Sequence, residues 1–246
     1  MFGWFAAIGC SIPLQPCEAS SECMEAFGEG WTCGMAGMCI APPPDSESMM
    51  ETGRPMDSGN DPDDTGTKPE PAPFIINEVL YDPPNTKGEP PPGDANGDGK
   101  YVHDDDEFVE LINVSAERVD VSGYMLYDQQ AWDLGQPRHR IKTGTFLDPG
   151  GALVVFGGGA PTGKFGDAEV QVATGGRLNL NNANDTLLIA NPQGQIVLSF
   201  EITPRSDNPN ESYTRNPDIV GPFEQHAAST PLLFSPGTRV DGSPFL

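Results

Sequence analysis

An all-β sandwich is the fold this sequence predicts for its ordered part, and three observations carry it. Short runs rich in Val, Ile, Leu and Phe, among them FIINEVL, EFVELIN, ALVVF and TLLIA, recur from Phe74 onward. Turn chemistry lies between them: 29 glycines and 26 prolines among 246 residues leave few windows that a long helix could fill. No stretch shows the apolar period of an amphipathic helix, and no heptads occur. Short strands, frequent turns and a missing helical period together point to two packed sheets.

Order begins at Phe74, where FIINEVLYD reads as a strand ahead of a Pro-rich acidic insertion at 82–106. Glu107 to Asn113 is the second strand. Val119 to Tyr127 alternates apolar and polar residues about Gly123, as a half-buried strand with a bulge would. After a loop holding Trp132, Arg138 to Phe146 is expected to form a further strand, its Arg138-His139-Arg140 trio a solvated edge where charge discourages unwanted pairing. Pro149-Gly150-Gly151 turns the chain into ALVVF, a continuously apolar run suited to a sandwich centre. Gly157-Gly158-Gly159 ends that strand, and a phosphate-loop reading of the triplet fails because no helix with a lysine and a hydroxyl follows at the needed spacing. Strand signals return at Leu178 to Leu180, Thr186 to Ala190 and Gln195 to Ile202, the last two joined by the tight turn Asn191-Pro192-Gln193-Gly194.

The insertion carries the most specific motif. In GDANGDGKYVHDDDEF, Asp94, Asn96 and Asp98 alternate so that three side-chain oxygens can turn toward one point, Gly99 permits the bend, and Asp105 falls at the twelfth loop position. This spacing is that of an EF-hand calcium loop. Lys100, at the seventh position, offers its backbone carbonyl, and Val102 at the ninth offers no side-chain oxygen, so a water or a neighbouring acid such as Asp104 or Asp106 must complete the shell. Prolines 90–92 upstream and an apolar strand downstream replace the helix pair of a sensor, which makes Ca2+ a structural ligand here. Without a bidentate Glu at the end, the expected affinity is that of extracellular modules, on the order of 10⁻⁴ to 10⁻³ M.

All five cysteines lie in the first forty residues. The apolar opening MFGWFAAIGC ends in Ala7-Ile8-Gly9-Cys10, which resembles the lipobox of bacterial lipoproteins, where residues 1–10 would be a signal-like segment and Cys10 would take the lipid. Cys17, Cys23, Cys33 and Cys39 then remain as an even set within a Gly-rich module at 11–40. A core that small needs staples, and two disulfides at ~2–4 kcal/mol each would supply them in an oxidising compartment. A four-thiolate zinc site is the rival, disfavoured because the near cysteines have five residues between them rather than two. Residues 41–73, rich in Pro, Asp, Glu, Ser and Gly, read as an extended acidic linker before the sandwich at 74–246. The formal net charge of -23 argues against nucleic-acid phosphate or anionic lipid as a direct partner and favours divalent cations or basic partners.

The ordered region is similar to a bacterial lamin-tail domain. The pieces that carry the resemblance are IINEV at Ile75 to Val79, DEFVELIN at Asp106 to Asn113, VDVSGYML at Val119 to Leu126, LDPGGALVVFG at Leu147 to Gly157, LNLNNANDTLLIANPQGQIV at Leu178 to Val197, and SPGTRVDG near the C-terminus. What it implies is an immunoglobulin-like β-sandwich acting as a binding or interaction module on secreted or surface proteins, with no shared catalytic residues. The residues agree: no serine sits in a GxSxG elbow, and the three histidines, His103, His139 and His226, stand in unrelated segments. The expectation is a non-enzymatic surface lipoprotein, membrane-bound through lipid alone, recognising a surface protein or polysaccharide, its oligomeric state left open. The alternatives are a metal-dependent surface hydrolase centred on Asp94, Asp98, Asp105 and His103, and a targeting accessory to a separate secreted enzyme.

Overall fold

The computed structural model describes residues 32–33, 39–40, 71–85, 87–88, 90–206 and 209–246, and the chain divides into two units, Met1–Asp64 and Thr65–Leu246. Strands β1 (Thr32–Cys33) and β2 (Cys39–Ile40) of the first unit pair antiparallel, with Cys33 opposite Cys39. Cys10, Cys17 and Cys23 lie outside the described residues, as does the linker up to residue 70, and Cys33 and Cys39 are described by backbone alone. The lipid and disulfide expectations therefore fall outside the described residues.

The second unit is built on β9 (Ala152–Phe156), whose five residues are all buried. A strand apolar on both faces belongs inside a covered sheet, and β9 lies between β4 (Phe108–Asn113) and β10 (Glu169–Val172). The full six-stranded order is β10-β9-β4-β3-β13-β14, with β3 at Phe74–Leu80, β13 at Tyr213–Arg215 and β14 at Phe223–Gln225. Its β9–β10 pair is parallel and the others antiparallel. A second sheet runs β12-β11-β6-β7, from Ile196–Glu201, Thr186–Ala190, Met125–Tyr127 and His139–Arg140. Ile76, Val79, Val109, Leu111, Leu153 and Val155 of the first sheet pack with Leu126, Leu187, Ile189 and Phe200 of the second in one core. This is the immunoglobulin-like all-β sandwich that the resemblance implies.

Both outer faces are also covered. Leu80, Phe108, Val154 and Phe156 on the outside of the larger sheet meet Ala95 of the acidic insertion, with Phe165 and Phe234 packed against them. On the smaller sheet, Met125, Tyr127, Leu188 and Ala190 are capped by Ala131 and Trp132 of a short helix, α2 (Gln129–Asp133). A one-turn helix, α1 (His103–Asp106), precedes β4.

Several expected elements are corrected. Val119 to Tyr127 is two strands, β5 (Val119–Asp120) and β6, in different sheets. Asp120 Oδ1 accepts the Ser122 N–H at 2.9 Å and Gly123 adopts φ +77, so the Gly makes a turn rather than a bulge. Arg138 to Phe146 likewise splits into β7 and β8 (Phe146–Leu147), because Lys142 O closes a turn with the N–H and Oγ of Thr145. Leu178 to Leu180 forms no strand: Asn179 is left-handed at φ +59, while Leu178 and Leu180 are buried on either side of it. The basic trio is only partly the solvated edge expected. Arg140 is exposed, but His139 is buried, hydrogen-bonded to Gln171 Oε1 at 3.0 Å and Thr174 Oγ at 3.1 Å, and burial pushes its pKa down to about 4.

Candidate metal centre

The acidic loop folds around its own carboxylates. The Asp98 N–H donates to Asp94 Oδ1 and to Asn96 Oδ1, both at 3.0 Å, and the Gly99 N–H donates to Asp94 Oδ2 at 2.8 Å. The Lys100 N–H in turn reaches Asp98 Oδ1 at 3.0 Å. These short-range bonds are what the alternating Asx pattern makes locally, and they turn Asp94, Asn96 and Asp98 toward the inside of one bend. Gly99, at φ +88, supplies a conformation that a side chain would strain. Each carboxylate oxygen that accepts an N–H keeps a second lone pair for a cation.

Asp105, on α1, faces the same region from the far end of the loop. A Cβ on Gly158 would stand 2.1 Å from Asp105 Oδ1, and one on Gly159 would stand 2.5 Å from Asn96 Nδ2 and 3.0 Å from Asp98 Oδ2. The glycine triplet after β9 is thus the floor on which the loop rests, which explains it without a phosphate. The Ala160 N–H adds a 3.3 Å bond to Asp98 Oδ2, and Thr162 Oγ donates to Gly97 O at 2.6 Å. Burial and then the charges of Asp98 and Asp104 hold the Asp105 carboxyl above its ordinary range.

Asp106 is placed differently. It is fully buried, and its oxygens accept the N–H groups of Asn96 at 3.2 Å and Val102 at 2.8 Å, bracing the two arms of the loop together. Burial outweighs those bonds and pushes its pKa up to about 6. Of the residues singled out by spacing, the structure sets Asn96, Asp98 and Asp105 against Gly158 and Gly159, turns Asp94 to the Asp98 and Gly99 N–H groups, leaves Lys100 exposed, and makes Asp106 the brace of the loop. His103 does not join them: its side chain meets Asp82, Asp104 and Glu107. Sequence reading missed the Gly157–Gly159 floor, although the triplet itself was the signal. Oxygen-only donors around an acidic bend suit a hard cation of the calcium kind.

Comparison with known families agrees with the architecture. A family model described as Lamin Tail Domain matches residues 67–204, more than half of the chain. The match takes in the acidic loop and runs through β12, and it stops before β13, β14 and the SPGTRVDG segment. None of the curated proteins compared matches the chain.

Proposed function

The chain belongs to the Lamin Tail Domain family, a β-sandwich binding or interaction module, and from that premise we propose that it is a non-enzymatic recognition domain displayed at a cell surface and stiffened by structural calcium. The observation that supports the calcium is the Asx-bonded bend of Asp94, Asn96 and Asp98, with Asp98 and Asp105 set against the Gly158–Gly159 floor. These carboxylates repel one another unless a cation neutralises them, and an ion there would pin the insertion to the end of β9. The acidic surface suits a surface protein or polysaccharide recognised through calcium or basic groups.

Calcium titration of the folded chain tests the reading. Binding at a dissociation constant of about 10⁻⁴ M gives roughly 2.7 kcal/mol of stabilisation at a hundredfold excess. For a domain of this size that is a rise of about 5–10 °C in melting temperature. Asp98→Ala is expected to abolish the rise. Gly158→Ala is expected to reduce it, since the new methyl displaces Asp105. A wild-type melt that ignores millimolar calcium would sink the proposal.

Attachment is the second part of the proposal: lipid at Cys10, disulfides among Cys17, Cys23, Cys33 and Cys39, and the acidic 41–73 segment as tether. Its support is the Ala7-Ile8-Gly9-Cys10 pattern and the even set of remaining cysteines. Cys10→Ala is expected to move the protein from the membrane to the soluble fraction. Continued sedimentation with membranes would reject the anchor.

A further inference from the structure

We propose that His103, Asp104 and Glu107 form a second metal site, separate from the Asp94–Asp105 loop, that takes a first-row divalent cation of the Zn2+ class. His103 Nδ1 stands 3.5 Å from Asp104 Oδ1 and 3.7 Å from Glu107 Oε1. Both distances are too long for hydrogen bonds, so the nitrogen lies near two carboxylate oxygens and bonds neither. They are close to what a tetrahedral ion requires, because metal bonds of about 2.0–2.1 Å set neighbouring ligand atoms about 3.4 Å apart. One ligand atom from each of the three residues fits within 4.8 Å of the others.

The surroundings hold these atoms in place. His103 and Glu107 are one turn apart, at the start and just past the end of α1. Glu107 is 1% exposed, and its other oxygen, Oε2, accepts the Leu180 N–H at 3.1 Å, which leaves Oε1 toward the imidazole. Asp104 Oδ2 meets Arg177 Nη1 at 3.3 Å, which turns Oδ1 the same way. Behind the ring, Asp82 Oδ1 lies 3.9 Å from His103 Nε2. Asp82 is itself buried and anchored by Asn182 Nδ2 and, at 3.0 Å, by the Asn210 N–H. At 3.9 Å Asp82 makes no hydrogen bond to the ring; it contributes a negative charge on the side away from the metal position.

The three donors open on a cleft of about 330 Å³ whose wall includes Asn179, Asn181 and Asn182. Three protein ligands facing open volume leave room for exchangeable water, the arrangement of an open zinc site. The imidazole separates this site in chemistry from the all-oxygen loop, because nitrogen ligation favours first-row metals over calcium. The competing account is an imidazolium that simply neutralises Asp82, Asp104 and Glu107.

Equilibrium dialysis of the full chain against Zn2+, with the cysteines alkylated and calcium in millimolar excess, distinguishes the two. The wild type is expected to hold one equivalent, and replacement of the zinc by Co2+ is expected to give the visible absorption of a tetrahedral ion. His103→Ala and Glu107→Gln should each lose that equivalent. Asp82→Asn, which removes the charge behind the ring, should weaken it and leave the tetrahedral Co2+ spectrum in place. Asp98→Ala should lose calcium stabilisation and keep zinc. No uptake by the wild type, or undiminished uptake by folded His103→Ala, overturns the site. If His103→Ala does not fold, Glu107→Gln decides in the same way. Loss of zinc in Asp98→Ala would show one site rather than two and also overturn it.

Discussion

Glu78→Gln is expected to melt higher than the wild type at about pH 8, by on the order of 1–2 kcal/mol or roughly 2–8 °C, and to lose that advantage near pH 5. Glu78 and Glu110 are direct neighbours on β3 and β4, and both are fully buried. Burial raises both carboxyls, and the Glu78 charge raises Glu110 further, well above the ordinary range. A carboxyl whose folded pKa exceeds its unfolded value binds its proton more tightly in the native state. Its stabilising contribution is complete below the unfolded value of about 4.5 and is lost as pH climbs through the folded one. His139 acts at the other end, since its depressed pKa removes stability as pH falls from 6.5 toward about 4. The optimum therefore lies on the acid side of neutrality when calcium is withheld.

Gln suits the Glu78 position because its amide oxygen keeps both bonds made to Oε1, and only the bond at Oε2 has to reverse. Oε1 accepts Ser212 Oγ at 2.6 Å and the Ser235 N–H at 2.9 Å, while Oε2 lies 2.8 Å from Ser235 Oγ, which can accept from an amide. Ser235 Oγ also lies 2.9 Å from His226 Nε2, an alternative partner for its proton when the amide donates to it, and His226 Nδ1 stands 2.9 Å from Leu232 O. Thermal melts in a chelator across pH 5 to 8 measure the effect. A stability difference between Glu78→Gln and wild type that does not change with pH would contradict it.

This buried pair also marks where the sequence was hardest to read. FIINEVL, FVELIN and ALVVF announced β3, β4 and β9 by their apolar content, but nothing local says that Glu78 and Glu110 will be covered. The cover comes from Ser212, Ser235 and Gly237, more than a hundred residues onward. The strands β13 and β14, YTR and FEQ, are too short and polar to show a period, and they exist because β3 offers them an edge. Asp94, Asn96 and Asp98 were legible because a calcium-type loop is a local spacing rule. His103, Asp104 and Glu107 were not grouped, since their meeting depends on one turn of helix inside an acidic run and on a loop from residues 179–182 that closes the cleft. Glu107 alone read as the first residue of a strand.

Asp128→Ala is expected to cost about 3 kcal/mol, a fall of roughly 6–12 °C, and to weaken zinc uptake at the His103 cleft without contacting any ligand. Asp128 is wholly buried and answers four donors: the Ala131 N–H at 2.7 Å, Arg138 Nε at 3.0 Å and Nη2 at 2.7 Å, and Asn179 Nδ2 at 2.8 Å. The first bond caps α2, and losing such a cap costs about 1 kcal/mol. The paired bonds to Arg138 are the strong bidentate kind, and removing their acceptor leaves a guanidinium only 22% exposed without its carboxylate, with the neutral Gln130 Oε1 at 3.0 Å still bonded to it. The fourth holds Asn179 in its left-handed turn, next to the Leu180 N–H on which the Glu107 carboxylate rests. Loosening that turn frees Glu107 and widens the cleft. Asp128→Asn, which can keep the helix cap and lose the charge, should fall between wild type and Asp128→Ala in both melting temperature and zinc affinity. If Asp128→Ala lowers the melting temperature but leaves zinc affinity intact, the 178–182 turn does not support the metal cleft, and Glu107 is held by β4 alone.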